Sequence, residues 1–336
     1  MSDQLYTIAA TSGVVLLAAA YWLHTRNKHL PTSLALLGGL GALFIPLPSL
    51  FLASEPAAEE TPAEPTHYQV DLIYKLQAQD ILTRLTSADM AKGPLRLSRH
   101  EATIYSQYGE DGIIAEIFRR IGTTNRYFVD FGSSEGRENN TVLLLLAGWS
   151  GLWMDAHESL IDTAAELYPK EVESGRLKAR SAFVNAENIE ELFRSSDVPE
   201  SFDLLSVDID RNDYWVWKNI QSYQPRVVVM EYNAVFPPGM KWVVDYDAEA
   251  FWDGTSHFGA SLTAYEELGR EKGYSLVGCN LMGSNAFFVR SDLAEGKFDA
   301  PFTAENHYQP ARYELMWMKP GHTRRVGPAG KLELPR

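Results

Sequence analysis

The sequence predicts an α/β domain built on a doubly wound, mostly parallel, seven-stranded sheet with an antiparallel last strand. Three observations predict it. Between about residues 99 and 295, short apolar runs alternate with segments of helical spacing, which implies parallel strands covered by helices on both faces. The last two apolar runs are joined by five residues, Asn280 to Ser284, too few for a helical crossover, so they form an antiparallel hairpin. About 200 residues is also enough chain to enclose one core.

In chain order, residues 1–53 stand apart. Leu5 to Leu23 and Leu30 to Ala53 run for 19 and 24 residues without a charge, and roughly 20 apolar residues cross a hydrocarbon core. Tyr21 and Trp22 end the first run as headgroup-level rings would, and Gly38, Gly39 and Gly41 in the second permit close helix approach before Pro46 and Pro48 end it. Met1-Ser2-Asp3-Gln4 lacks the basic start of a cleavable signal. The segment therefore reads as a two-helix transmembrane hairpin, with the bilayer as partner and a multi-pass membrane location. Residues 54–66 form an acidic Pro/Ala linker. Residues 67–98 form a helical lead-in, with Val70, Ile73, Tyr74, Ile81 and Leu85 at helical spacing and expected to pack on the α/β body.

Strands are expected at 127–129, 151–154, 182–184, 202–207 and 226–230, helices at 159–168, 187–195 and 213–221, and the hairpin strands at 274–279 and 285–290. Residues 296–336 form a Pro-rich, basic tail, read as a surface wrap. The 336 residues carry a formal net charge of −14, which argues against a nucleic-acid partner, and the lone Cys279 excludes an internal disulfide.

Ligands of such sheets bind at the carboxyl ends of the strands. After the first run comes Asp130-Phe131-Gly132-Ser133-Ser134-Glu135-Gly136, where two glycines allow a tight strand-to-helix turn beside a carboxylate. Asp155 follows Gly136 by 19 residues, the spacing at which a carboxylate accepts both protons of a ribose diol. The turn is not GxGxxG, which disfavours NAD. Asn185 reads equally as an adenine contact or a helix cap. Asp208 and Asp210 follow the fourth run, and Glu231 and Asn233 the fifth. Asp210 also reads as an N-cap for the helix at 213–221. The long stretch from Phe236 to Gly259 is read as an acceptor lid. Trp215 and Trp217 cannot share one helix face and read as core.

The ordered set Ser106-Gln107-Tyr108-Gly109-Glu110-Asp111, VDFGSSEGRENNT (129–141), LWMDA (152–156), DLLSVDIDRNDYWVW (203–217) and VVVMEYN (227–233) resembles the FkbM-type branch of the class I S-adenosylmethionine-dependent methyltransferases over roughly residues 100–292. The resemblance implies S-adenosylmethionine as cofactor. It carries Asp130, Gly132 and Gly136 to the cofactor loop and Asp155 to the ribose, and it places Gln107 and Tyr108 over the cofactor if their segment folds back across the strand ends. Ser134 departs from the glycine many class I enzymes have there.

A membrane-anchored enzyme transferring methyl to a hydroxyl of a small, lipid or glycan acceptor is the expectation, with Asp208, Glu231 and, more weakly, His257 as candidate bases. Asp208, Glu231 and Asn233 form a candidate Mg²⁺ set. Two rivals stand beside it: a glycosyltransferase using Asp208-Ile209-Asp210 as a DxD motif, and a non-catalytic interaction module. Arg26 and Lys28 in the hairpin loop would place the body outside by the positive-inside rule, whereas a cytosolic cofactor places it inside; the reading taken is cytoplasmic.

Overall fold

A computed structural model of the chain describes residues 67–316. Among the described residues no helix is long and apolar enough to cross a membrane. This corrects the expectation of a multi-pass membrane location; the hairpin read over residues 1–53 and the linker 54–66 lie outside the described residues.

The elements in chain order are α1 (His67–Met90), α2 (Glu110–Ile121), β1 (Tyr127–Phe131), α3 (Val142–Leu146), β2 (Ser150–Asp155), α4 (Glu158–Leu167), α5 (Pro169–Glu173), β3 (Leu177–Ser181), α6 (Ile189–Ser195), β4 (Ser201–Val207), α7 (Asp213–Asn219), β5 (Gln224–Glu231), α8 (Leu262–Glu271), β6 (Tyr274–Cys279) and β7 (Asn285–Arg290). The sheet order is β3-β2-β1-β4-β5-β7-β6. β1 to β5 run parallel, while β7 is antiparallel to both β5 and β6, so the short hairpin inserts the reversed strand between its neighbours.

Alternation of side chains along buried strands gives the sheet two cores. Val129, Phe131, Leu152, Met154 and Val228 face one way and pack with α6, α7 and α8. Phe128, Trp153, Leu204, Val227 and Val229 face the other and pack with α2 and α3. Trp217 lies wholly in the first core against Tyr265, Tyr274 and Phe288.

Two elements differ from expectation. β3 ends at Ser181, before the apolar run 182–184. It is an edge strand whose Lys178 and Arg180 bond to the end of α6, and charged edge residues hide a strand from an apolarity pattern. α1 is present, but its expected packing stripe is largely bare: Val70, Ile73 and Ile81 are exposed, and Ala78 and Asp89 are the buried positions. Asp89 accepts from Ser98 Oγ (2.7 Å) and Gln309 Nε2 (3.2 Å), so the helix is held at its C-terminal end.

Candidate active site at the strand ends

Strand order reverses between β1 and β4, and the crevice at their carboxyl ends is where open α/β sheets bind ligands. A cavity of about 110 Å³ lies there, walled by Gly132, Met154, Asp155, Phe183, Asp208 and Phe251 among others. The β1 turn and Asp155 are joined directly: the Ser134 N–H donates to Asp155 Oδ2 (3.1 Å). Asp155 Oδ1 accepts from the His157 N–H (2.9 Å). His157 Nδ1 also stands 3.2 Å from Oδ1, so of the about four acceptor sites of a carboxylate one on Oδ2 stays open whichever ring nitrogen of His157 carries the proton.

Gly132 and Gly136 both have positive φ, 70° and 69°. Their need for glycine is set by the protein. A Cβ on Gly132 would lie 1.6 Å from the Asp208 carbonyl oxygen, and one on Gly136 would lie 2.6 Å from the Trp153 ring. Ser134 adopts φ 52°, the strained member of the turn.

Asp130 lies beside the crevice but does not line it. Its Oδ2 accepts from Thr141 Oγ1 (2.7 Å), which accepts from Trp153 Nε1 (2.7 Å). Burial lifts the carboxyl to about 7 against the opposing pull of the Thr141 and Ser206 hydroxyls. Asp130 is thus a positioning residue that ties β1 to the start of α3. Asn185 lies four residues beyond the true end of β3, and its Oδ1 accepts the Asn188 N–H (2.9 Å) while Asn188 Oδ1 accepts the Asn185 N–H (2.9 Å). This reciprocal pair lies ahead of α6, whose N-cap position belongs to Asn188.

Asp208, Asp210 and Glu231 each present an oxygen within 4.8 Å of the others. Asp210 is at φ 63° and so points out of the regular path into the cluster. The N-cap position read for Asp210 belongs to Asn212. Asn233, read with Asp208 and Glu231 as a candidate Mg²⁺ set, is buried; its amide nitrogen donates to the carbonyls of Ser256 (2.7 Å) and Phe258 (3.0 Å), anchoring the long loop, and its Oδ1 accepts the Val235 N–H (3.3 Å). His257 is exposed on that loop, against Trp242, and stays apart from the carboxylates. The loop is fastened further by Trp215 Nε1 to the Val244 carbonyl (2.8 Å) and Asn212 Nδ2 to the Asp247 carbonyl (2.8 Å).

Burial first, and repulsion from neighbouring acids second (Asp213 and Asp210 on Asp208; Asp208 and Asp213 on Glu231), hold both Asp208 and Glu231 well above the usual carboxylate range. Behind them Asp213 is fully buried and lifted to about 6, chiefly by burial. Its Oδ1 accepts the Ile209 N–H (2.8 Å), but its Oδ2 and the nearby Tyr265 Oη are buried without a hydrogen-bond partner among the described residues. An acid raised by folding binds more protons folded than unfolded, so stability is lost as pH rises from about 4 through the folded value. Asp213→Asn keeps the Ile209 bond and removes the titration. We expect it to flatten that loss by roughly 1–2 kcal/mol between about pH 4 and 7. Urea denaturation of both proteins at the two ends of the range checks it; parallel losses would refute the assignment.

The sequence pattern did not disclose two neighbours. Tyr313 from the tail, expected to be surface, stands with its ring 6.4 Å from Tyr108. Burial, with Glu231 and Asp208 as charged neighbours, raises both hydroxyls. Neither Gln107, which is exposed, nor Tyr108, which is half-buried, lines the cavity; Tyr108 has Glu231 and Asp208 among its charged neighbours. Phe251 packs edge-on against Phe183 at 5.0 Å and closes the opposite wall. No local signal marks these residues, since each arrives from a loop.

No family model matches the chain, and no curated protein matches it. Among solved structures it is similar to a TehB-like S-adenosylmethionine-dependent methyltransferase from Corynebacterium glutamicum (17% identity, 55% of this chain and 88% of that one, TM-score 0.31). An S-adenosylmethionine-dependent methyltransferase from Clostridium acetobutylicum is 12% identical over 54% of this chain and 91% of its own, TM-score 0.34. An O-methyltransferase from Bacillus cereus in complex with SAH is 14% identical over 46% of this chain and 66% of its own, TM-score 0.29.

Proposed function

We propose that the chain is an S-adenosylmethionine-dependent methyltransferase of FkbM type that methylates a hydroxyl of a small-molecule acceptor. The observation that carries the reading is the contact between the Ser134 N–H and Asp155 at the switch point of the sheet, which joins the glycine turn to the ribose-type carboxylate in one crevice.

The residues fit a nucleoside hydroxyl in acceptor chemistry, since Asp155 Oδ2 keeps an acceptor site open beside the Ser134 bond. The cavity of about 110 Å³ is small for such a ligand, as pockets for drug-sized molecules run to about 300–1,000 Å³. Admission therefore requires Phe251, 59% exposed on its loop, to move off Phe183. When bound, the cofactor supplies an electrophilic methyl on a sulfonium. Asp155 would hold the ribose end and Tyr108 and Tyr313 would exclude water on the acceptor side, so that an acceptor oxygen could take the methyl in line as its bond to sulfur breaks and a thioether leaves. The acceptor's proton passes to Asp208 or Glu231, whose affinity for a proton burial raises above that of an ordinary carboxylate.

The donor set Asp208, Asp210 and Glu231 also fits a hard cation such as Mg²⁺, which would lower the acceptor hydroxyl's pKa there. Asp208 and Asp210 of this set are what a DxD glycosyltransferase would use. Calorimetric titration with S-adenosylmethionine, and separately with a UDP-sugar plus Mn²⁺, tests the reading. We expect saturable binding of the former alone, with Mg²⁺ raising the melting temperature more as the pH rises, since the raised carboxyls must lose their protons to hold the cation. Binding of the nucleotide sugar alone would replace the methyltransferase reading.

A further inference from the structure

A second cavity among the described residues, about 440 Å³, is larger than the crevice and shares no lining residue with it. Three separate stretches build it: Arg99 and His100 before α2, Glu116, Arg119 and Arg120 in the last turns of α2, and Lys297 beyond β7. Four cationic side chains face one carboxylate, a formal balance of 4 − 1 = +3 with histidine neutral. The whole chain carries −14.

Glu116 organises the site without neutralising it. Its carboxylate accepts from Arg119 Nε (2.6 Å) and Nη2 (2.8 Å) and from Arg120 Nε (2.7 Å). Those bonds pull its pKa down to about 2, so the clamp persists across the working pH range. Arg120 is fixed further by Nη1 donating to the carbonyls of Leu95 (2.7 Å) and Lys297 (3.0 Å) and by its guanidinium over the Phe298 ring (5.2 Å). Arg119 Nη1 and Arg120 Nη2 make no bond to the protein among the described residues, and Arg99 and Lys297 have no side-chain partner there at all.

Cations at the end of a helix ordinarily answer its negative pole. That accounts for Arg119 and Arg120 but not for Arg99 and Lys297, which come from other segments. Arg119 and Arg120 are held by Glu116 with one terminal nitrogen each left uncommitted, and Arg99 and Lys297 stand exposed beside them, a set of donors that matches a phosphate group. The volume exceeds what a bare oxyanion needs and falls within the about 300–1,000 Å³ of small-molecule sites. Pro94 and Leu95 supply an apolar wall for an organic body.

We propose that this cavity binds the phosphate group of a small organic phosphate of about sugar-phosphate size. The site is independent of the methyltransferase reading, because the two cavities have no residue in common. The test is calorimetry on the full chain at constant ionic strength, with inorganic phosphate and with a hexose phosphate as probes. The variants are Arg99→Ala/Lys297→Ala and, as a second design, Arg99→Glu. We expect one saturable site, tighter for the hexose phosphate, weakened at least tenfold by either variant with an unchanged melting temperature and unchanged S-adenosylmethionine binding. Absence of saturable binding, or equal affinity in wild type and variants, overturns the site. Equal affinity for the two probes overturns the assignment to an organic phosphate. A loss of S-adenosylmethionine binding alone bears on the crevice and leaves this site standing.

Discussion

Gly132→Ala is expected to lower folding stability by about 3 to 5 kcal/mol. Two penalties coincide at this position. The backbone sits at φ 70°, which a side chain resists by about 1–2 kcal/mol. The added methyl would also stand 1.6 Å from the Asp208 carbonyl oxygen, and backbone cannot retreat as a flexible side chain can. β1 and β4 are hydrogen-bonded neighbours up to Phe131 and Val207, so relief means opening the sheet at its centre. Gly175→Ala is the internal control: φ is 75°, but nothing lies within 4 Å of the added carbon. It should cost only the backbone share, about 1–2 kcal/mol. Denaturant unfolding of the two variants measures the difference; equal losses would show that the approach of β4 to the glycine turn is not what demands glycine there.

Asp155→Ala is expected to weaken S-adenosylmethionine binding at least tenfold, about 1.4 kcal/mol or more. The alanine variant loses the acceptor site for a ribose hydroxyl and also releases the Ser134 and His157 N–H groups that the carboxylate holds. Asp155→Asn separates the two effects. Its one remaining oxygen can keep the turn bond while offering fewer acceptor sites, so it should bind more weakly than wild type and more tightly than the alanine variant. Titration calorimetry of all three proteins gives the order. Unchanged affinity in the alanine variant would remove the ribose from this end of the crevice.

The sheet was legible because its signals are local. The runs at Phe202 to Val207 and Arg226 to Met230 are apolar on both faces, as central strands must be, and the five-residue link before Asn285 permits only a hairpin. The carboxylates at 155, 208, 210 and 231 could be placed at strand tips for the same reason. β3 escaped because an edge strand needs no apolar run, and its Lys178 and Arg180 are paired with the end of α6.

Which of those carboxylates meet was decided in three dimensions. Asp210, at φ 63°, brings an oxygen within 4.8 Å of Asp208 and Glu231, and the Asn233 amide nitrogen anchors the loop 236–259. Phe251 and Tyr313 reached the crevice from segments whose paths are fixed by contacts many residues away. The sequence by itself therefore determined the strands, their parallel run and the acids at their tips, since the pleat and short connections translate neighbouring residues directly into geometry. Only the tertiary structure decided the walls of the crevice and the partners of its charges. A loop has no repeat to read, and its course is set by whichever buried polar groups and apolar faces it must satisfy at a distance.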